Sequence, residues 1–98
     1  MNKQEVIYEF KVFTEPATLV LNNPAEITFI NQGLGGGICI INNTIRLSPS
    51  NQVVQGLADY NDRIILRPNL NETDTTDYNI RWQGLIGELI VICKYYRK

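Results

Sequence analysis

Few side chains in this sequence could carry out catalysis. Histidine is absent from the 98 residues, which removes the commonest general base and the commonest metal ligand in proteins. The serines Ser48 and Ser50 therefore have no histidine that could activate either of them as a nucleophile. Because no base–nucleophile pair or metal cluster can be assembled without histidine, we predict that the protein is not an enzyme.

The glycine-rich segment at positions 33–37 is the closest approach to a nucleotide-binding loop. A dinucleotide-binding fingerprint needs GxGxxG at the start of a helix, but the sixth position here is Ile38 and a strand pattern follows. No lysine lies nearby, as a phosphate-binding loop would require. We interpret the segment as a flexible or bulged connection between strands that uses positive φ, and we predict no bound cofactor.

Thiols and carboxylates do not combine into a recognisable site either. Cys39 and Cys93 lie far apart, each inside an apolar run and outside any CxxC pair. We predict two buried, reduced thiols, with one disulfide between two strands as the alternative. Two of the carboxylates could form the catalytic pair of a glycosidase. Those in the loop 72–77 could also bind Ca²⁺, but the D-x-D-x-D-G spacing of a calcium-binding loop is missing, so we predict no metal. These carboxylates lie in loops or at strand ends: Asp59, Asp62, Glu72, Asp74 and Asp77.

The charge of the chain is nearly balanced. Nine Lys+Arg against ten Asp+Glu give a net charge of −1, and the pI is near 5.3. A nucleic-acid-binding domain usually has a concentrated basic surface and a pI above about 9. The basic cluster at the end of the sequence (Lys94, Arg97 and Lys98) is typical of a solvated chain end. The longest apolar run, from Leu89 to Cys93, is far shorter than a membrane span. We therefore predict neither nucleic acid nor membrane as a partner.

The composition and spacing of the chain indicate an all-β fold. Ile (13), Val (6) and Thr (7) are abundant and Ala (3) is rare, which favours sheet over helix. Short strands at roughly ten-residue spacing with prolines between them predict a single domain, residues 1–98, an antiparallel β-sandwich or jelly roll. The eight predicted strands are 5–13, 17–21, 26–30, 37–41, 44–47, 63–67, 77–83 and 88–96. A short edge strand at Val53-Val54 or a helical turn at 52–58 is also possible in the long irregular stretch 48–61.

Two of these strands alternate clearly between apolar and polar residues. In the strand 77–83 the side chains of Tyr78, Ile80 and Trp82 are predicted to point into the core. The first strand shows the same half-buried pattern, with four apolar residues on one face and charged residues on the other: Val6, Tyr8, Phe10 and Val12 against Glu9 and Lys11. We therefore predict that these four apolar side chains form the buried face of the first strand.

The segment around Asn42-Asn43 has the pattern of a β-hairpin. Two runs rich in β-branched residues are separated by two asparagines, a residue type that tolerates positive φ. A two-residue connection of this kind favours a type I′ turn.

The last strand is apolar on both faces. Leu89, Val91 and Cys93 share one face, while Ile90 and Ile92 share the other with charged residues. Exposing each isoleucine to water would forgo roughly 1.5–3 kcal/mol. We therefore predict a homo-oligomer whose interface includes Ile90, Ile92 and the nearby Tyr96. The alternative is that the chain's own segment 48–61 covers this strand.

From Glu26 onwards the sequence also resembles a known class of proteins. A strand ends at Asn31-x-Gly33, a glycine begins the next apolar strand, Ile45-x-Leu47-x-Pro49 follows a turn, and the final apolar strand ends in Tyr95-Tyr96. This arrangement is similar to the small all-β structural proteins of tailed bacteriophage virions, such as head auxiliary, decoration or fibre-type subunits. Their Leu-x-Pro-Gly loop reads Leu47-Ser48-Pro49-Ser50 here, with serine in place of glycine.

The resemblance implies a non-enzymatic structural subunit of a virion, assembled in the host cytoplasm. Such a subunit would act by self-association and by docking on other virion proteins, and the resemblance carries over no catalytic residues. The alternative is a carbohydrate-binding β-sandwich that presents Tyr96 or loop residues to glycans.

Overall fold

A computed structural model describes residues 5–32, 37–49, 62–69 and 74–97 of the chain. In these ranges the backbone forms strands and turns and no helix, and the predicted all-β class with eight strands is confirmed. The predictions made for residues 33–36, Ser50, Val53-Val54, Asp59 and Glu72 lie outside the described ranges. The strands are β1 (Glu5–Phe13), β2 (Ala17–Asn22), β3 (Glu26–Asn31), β4 (Ile38–Ile41), β5 (Ile45–Leu47), β6 (Arg63–Leu66), β7 (Thr75–Gln83) and β8 (Leu89–Arg97).

The strands form two antiparallel sheets of four. The first sheet has the order β1-β8-β3-β6 and the second has the order β2-β7-β4-β5. Strands pair first with last, as β1 with β8, β2 with β7, β3 with β6 and β4 with β5. This nesting is what results when one long hairpin is rolled into two sheets, and it is the jelly-roll connectivity. The predicted sandwich of jelly-roll type is therefore confirmed.

The core lies between the inner faces of the two sheets. Phe29 of β3 and Tyr78 of β7 meet across it, edge to face, with ring centroids 5.4 Å apart. Tyr78 and Ile80 are buried and Trp82 packs against the core, which confirms the alternation predicted for this strand. Cys39 and Cys93 are buried free thiols.

The prediction for the buried face of β1 is wrong. Its four alternating apolar side chains are 42–70% exposed, and Phe10 is the most exposed of them. Period-2 alternation shows which side chains share a face, but not which face points into the core. The register decides, because Phe13 lies opposite Leu89 and Glu9 opposite Cys93, and both of these β8 residues belong to the core. The odd-numbered residues of β1 therefore point inward, although only Phe13 among them packs against the core.

The hairpin between β4 and β5 has the predicted positive φ at both asparagines, 53° for Asn42 and 60° for Asn43. The amide of Thr44 donates to the Ile41 carbonyl at 3.2 Å, which closes the turn. The ladder starts at Ile41 opposite Ile45, so the connection contains three residues and not the predicted two. Thr44 is the extra residue, and it shifts the start of β5 by one position.

Substituting valine for both Asn42 and Asn43 is expected to destabilise the protein by about 3 kcal/mol. Positive φ is strained for a β-branched residue, and two hydrogen bonds to β7 would also be lost. In these bonds the amide of Asn79 donates to Asn42 Oδ1 at 2.8 Å, and Arg81 Nε donates to Asn43 Oδ1 at 2.9 Å. Urea unfolding measures the change, with Asn43→Gly as the control that keeps the backbone conformation and should lie within about 1 kcal/mol of wild type. Equal stability of the Val-Val variant and wild type would contradict this account.

Candidate interaction surface

The acidic residues considered as a possible site, Asp62, Asp74 and Asp77, do not lie together in the fold. The backbone carbonyl of Asp62 accepts a hydrogen bond from the amide of Asn31, at the end of β3. The backbone carbonyl of Asp74 accepts a hydrogen bond from the amide of Asn23, which precedes the start of β3. The two aspartates therefore lie near opposite ends of β3, and Asp77 is exposed on β7. Within the described ranges no three residues of the types His, Cys, Asp and Glu lie close enough together to hold a metal ion.

The buried thiols and the buried serine are not activated. Burial raises the pKa of Cys39 to about 12, and it also raises the pKa of Cys93. Both groups are therefore neutral thiols at neutral pH, and a thiol is a poor nucleophile compared with its thiolate. The Ser48 hydroxyl is buried and, in the part of the chain that the structure describes, it has no hydrogen-bond partner.

Among the described residues, the outward-facing side of the first sheet is the surface richest in exposed apolar side chains. Cross-strand partners in a sheet project to the same side, so the register groups the outward side chains into rows. We call this set the outer face. It consists of Val6, Tyr8, Phe10 and Val12 from β1, Ile90, Ile92, Lys94 and Tyr96 from β8, Glu26, Thr28 and Ile30 from β3, and Arg63, Ile65 and Arg67 at β6.

The centre of the outer face is apolar across the full width of the sheet. One row consists of Phe10, Ile92, Thr28 and Ile65, in that order from β1 to β6. Phe10 is 70% exposed and Ile65 is 45% exposed. Contiguous exposed apolar surface of this kind is uncommon on monomeric proteins and marks contact sites.

Charged groups occupy the margins of the outer face. Arg67 Nε donates to a carboxylate oxygen of Glu26 at 3.1 Å, and the ammonium group of Lys94 lies 5.4 Å from the centre of the Tyr96 ring. The Tyr96 hydroxyl is the main cause of the raised pKa of Lys94. Both pairs belong to the rows toward the Tyr96 end, whereas the central row contains no ionisable side chain.

The outward side of the second sheet is polar by contrast. Its exposed residues on β7 include Asp77, Asn79 and Arg81, and Thr18 lies opposite Asn79 on β2. Arg46 Nη1 donates to Gln83 Oε1 at 2.7 Å, so two of its polar groups satisfy each other. The second sheet is therefore nearer to the usual pattern of an apolar inner and a polar outer side, although Val20 is 59% exposed on its outward side.

The predicted interface residues Ile90, Ile92 and Tyr96 all lie on the outer face. Ile90 and Ile92 are partly exposed in its interior, and Tyr96 is 49% exposed toward one end. Sequence reasoning missed the contribution of β1, because its four apolar residues were assigned to the core. The available signal was Ile7 and Phe13, which place apolar side chains on the opposite side of β1 as well. The segment proposed as an intramolecular cover lies, beyond Pro49, outside the described residues.

Comparisons with known proteins add no relative: no family model matches the chain, and no curated protein or solved structure is significantly similar to it. In the described residues no helix is long and apolar enough to cross a membrane.

Proposed function

We propose that the protein is a non-enzymatic structural subunit of a bacteriophage particle, which self-associates and docks on other virion proteins through the outer face. The observation that carries this proposal is the apolar centre of that face, where Phe10 is 70% exposed and Ile92 lies beside it. Burying one side chain of this size stabilises an association by roughly 1.5–3 kcal/mol. A second protein that covers the central row would supply this burial.

The composition of the outer face supports this proposal. Interface centres are depleted in charge and enriched in aromatic residues, and their rims are polar. Here Phe10 lies in the uncharged central row, while the Glu26–Arg67 ion pair and Lys94 lie toward one margin. An exposed ion pair contributes little affinity, so it serves orientation and specificity more than binding strength.

Assignment to a virion rests on the resemblance of the sequence from Glu26 onwards, together with the jelly-roll connectivity. Viral capsid domains use this architecture, and so do lectins. Because one fold serves many functions, the architecture supports the proposal without deciding it. A carbohydrate-binding module is the other candidate, favoured by the exposure of Tyr8 and Tyr96, whose rings could stack on sugars.

The self-association is tested with Ile92→Lys, which places a charge in the central row. We expect light scattering to show an oligomer for the wild type and a smaller mass for the variant, while circular dichroism keeps the β spectrum. Thr18→Lys is the matched control, because it places the same charge on the polar side of the other sheet and should leave the mass unchanged. A wild type that stays at 11.2 kDa at high concentration would contradict the proposal.

The virion assignment is tested by sedimentation of intact particles. We expect the wild-type protein to co-sediment with particles and Ile92→Lys to remain at the top of the gradient. A wild-type protein that is absent from particles, is monomeric and binds to a glycan array would instead favour the carbohydrate-binding module.

A further inference from the structure

We propose that β1 pairs edge to edge with β1 of a second copy of this chain, antiparallel, with Phe10 opposite Phe10 across a twofold axis. This inference rests on the proposed self-association and adds to it a second contact, which is made through the backbone edge of β1. It is carried by the position of β1 in its sheet and by the order of charges along the strand.

β1 is the longest of the four edge strands. It lies at the edge of the first sheet, spans nine residues and contains no proline. The opposite edge, β6, has four residues and is followed by Arg67 and Pro68, and the edge strand β5 of the second sheet has three residues. The remaining edge strand, β2, has six residues. Native proteins shield edge strands by shortness, proline, charge or bulges, because unpaired backbone groups recruit further strands.

The sequence of β1 is self-complementary in the antiparallel register centred on Phe10. With Phe10 on the twofold axis, Glu9 of each copy faces Lys11 of the other, which makes two ion pairs on the inward side of the strand. Tyr8 of each copy then faces Val12 of the other on the outward side. Opposite charges at directly facing positions stabilise a strand pair, and like charges destabilise it.

The neighbouring registers lack this match. An axis at Glu9 places two glutamates opposite each other, and an axis at Lys11 does the same with two lysines. Neither Glu9 nor Lys11 takes part in an ion pair or hydrogen bond within the described residues, so both charges are available to a second copy. An axis at Tyr8 places Glu5 opposite Lys11 but leaves Glu9 opposite Ile7. The register centred on Phe10 is therefore the one that pairs both Glu9 and Lys11 with opposite charges.

This pairing would extend the first sheet to eight strands. A twofold axis perpendicular to the sheet keeps both outer faces on the same side, so the two apolar centres come to lie in one larger surface. Each subunit would then have two separate contacts, an edge contact through β1 and a face contact through the central row. Two such contacts allow assemblies larger than a dimer.

Single cysteines test the register directly. Directly opposed residues in an antiparallel pair have Cα atoms about 4.5–5.5 Å apart, which lies within the range that a disulfide spans. We expect Phe10→Cys to form a covalent dimer on oxidation. Tyr8→Cys should not form one. In this register position 8 faces Val12 of the second copy, so the two cysteines would be offset by four residues, about 13 Å along the strand. The native Cys39 and Cys93 are fully buried and do not compete. Equal cross-linking of the two variants, or none by Phe10→Cys in an oligomeric protein, would overturn the pairing.

Charge reversal tests the same register in solution. Glu9→Lys and Lys11→Glu each place like charges opposite one another in a homodimer, so each should weaken self-association roughly 10- to 30-fold. An equimolar mixture of the two variants restores both opposite-charge pairs and should associate as tightly as wild type. A mixture no tighter than either variant alone would refute the inference.

The variants Ile92→Lys and Phe10→Cys distinguish a failure of the face contact from a failure of the edge contact. If both exist, Ile92→Lys leaves a β1-paired dimer, and only its combination with Glu9→Lys yields the 11.2 kDa monomer. If the face contact is wrong, Ile92→Lys keeps the wild-type mass while Phe10→Cys still cross-links. If the edge contact is wrong, Ile92→Lys alone reduces the mass to that of the monomer and Phe10→Cys gives no covalent dimer.

Discussion

Replacing Asn31 by leucine is expected to lower the free energy of unfolding by about 3–4 kcal/mol, although the two side chains are similar in size. Asn31 is fully buried at the end of β3, and its Nδ2 donates to the carbonyl of Leu47 at 2.8 Å and to that of Gly37 at 3.1 Å. β3 belongs to the first sheet, while Leu47 and Gly37 lie at the strands of the second. Leucine would fill the space but leave both carbonyl groups without this donor, and each buried unsatisfied group costs roughly 1–3 kcal/mol.

A companion variant, Asn31→Asp, separates the hydrogen bonds from the packing. At neutral pH a buried carboxylate would face the two carbonyl oxygens, so the loss should exceed that of the leucine variant. Burial raises the pKa of such a carboxyl group, so protonation on lowering the pH restores one donor and reduces the deficit relative to wild type. The deficit of the leucine variant has no such dependence on pH.

Chemical unfolding in urea at several pH values measures both effects. The exposed Asn22→Leu at the end of β2 is the control, and it should change the stability by no more than about 0.5 kcal/mol. A loss below about 1 kcal/mol for Asn31→Leu would mean that water or another group satisfies the two carbonyls. In that case Asn31 would not connect the sheets.

The role of Asn31 also shows where sequence reasoning ends. Asparagine close to glycine is typical of a turn, and Asn31-x-Gly33 predicts the end of a strand. This prediction is confirmed for the backbone, because β3 ends at Asn31. It gives no information on the carbonyl groups of Gly37 and Leu47, because those contacts depend on how the two sheets stack. Long-range hydrogen bonds from a buried side chain leave no local pattern in the sequence.

The strands differ in how much the sequence determines. β7 is flanked on both sides by other strands, and its alternation of Tyr78 and Ile80 with polar residues has only one orientation that buries the apolar set. β1 lies at an edge and carries apolar residues on both sides, so its pattern permits two orientations. The choice is made by the register with β8, in which Phe13 lies opposite the buried Leu89. Local periodicity thus suffices for the core strand and fails for the edge strand.

The same distinction applies to the candidate surface. Ile90 and Ile92 share one side of β8 with charged residues, which predicts that they face outward, and they do. The extent of the surface could not be predicted, because it depends on which strands lie beside β8. Only the sheet order places Phe10 on one side of Ile92 and Thr28 on the other.

Substituting alanine for Gly37 is expected to destabilise the protein by about 3 kcal/mol or more. A Cβ atom at this position would clash with the backbone oxygen of Gln83 and would lie 3.0 Å from that of Leu85. Neither atom can move freely, because Gln83 is paired with Ile38 in the sheet and the Leu85 oxygen accepts a hydrogen bond from the Gly37 amide at 2.6 Å. The start of β4 would therefore have to shift, and it carries the Gly37 carbonyl that accepts from Asn31.

The matched control is Gly84→Ala in the neighbouring connection. Gly84 has a φ of +90°, and the nearest atom to an added Cβ is the Gly37 Cα at 3.8 Å, an ordinary contact. Gly84→Ala should therefore lower the free energy of unfolding only through the strain of positive φ, by about 1–2 kcal/mol. Thermal unfolding of both variants should therefore place Gly37→Ala well below Gly84→Ala in stability. The reverse order would show that backbone conformation, and not the close approach of β4 to Gln83, makes glycine necessary at this end of the sandwich.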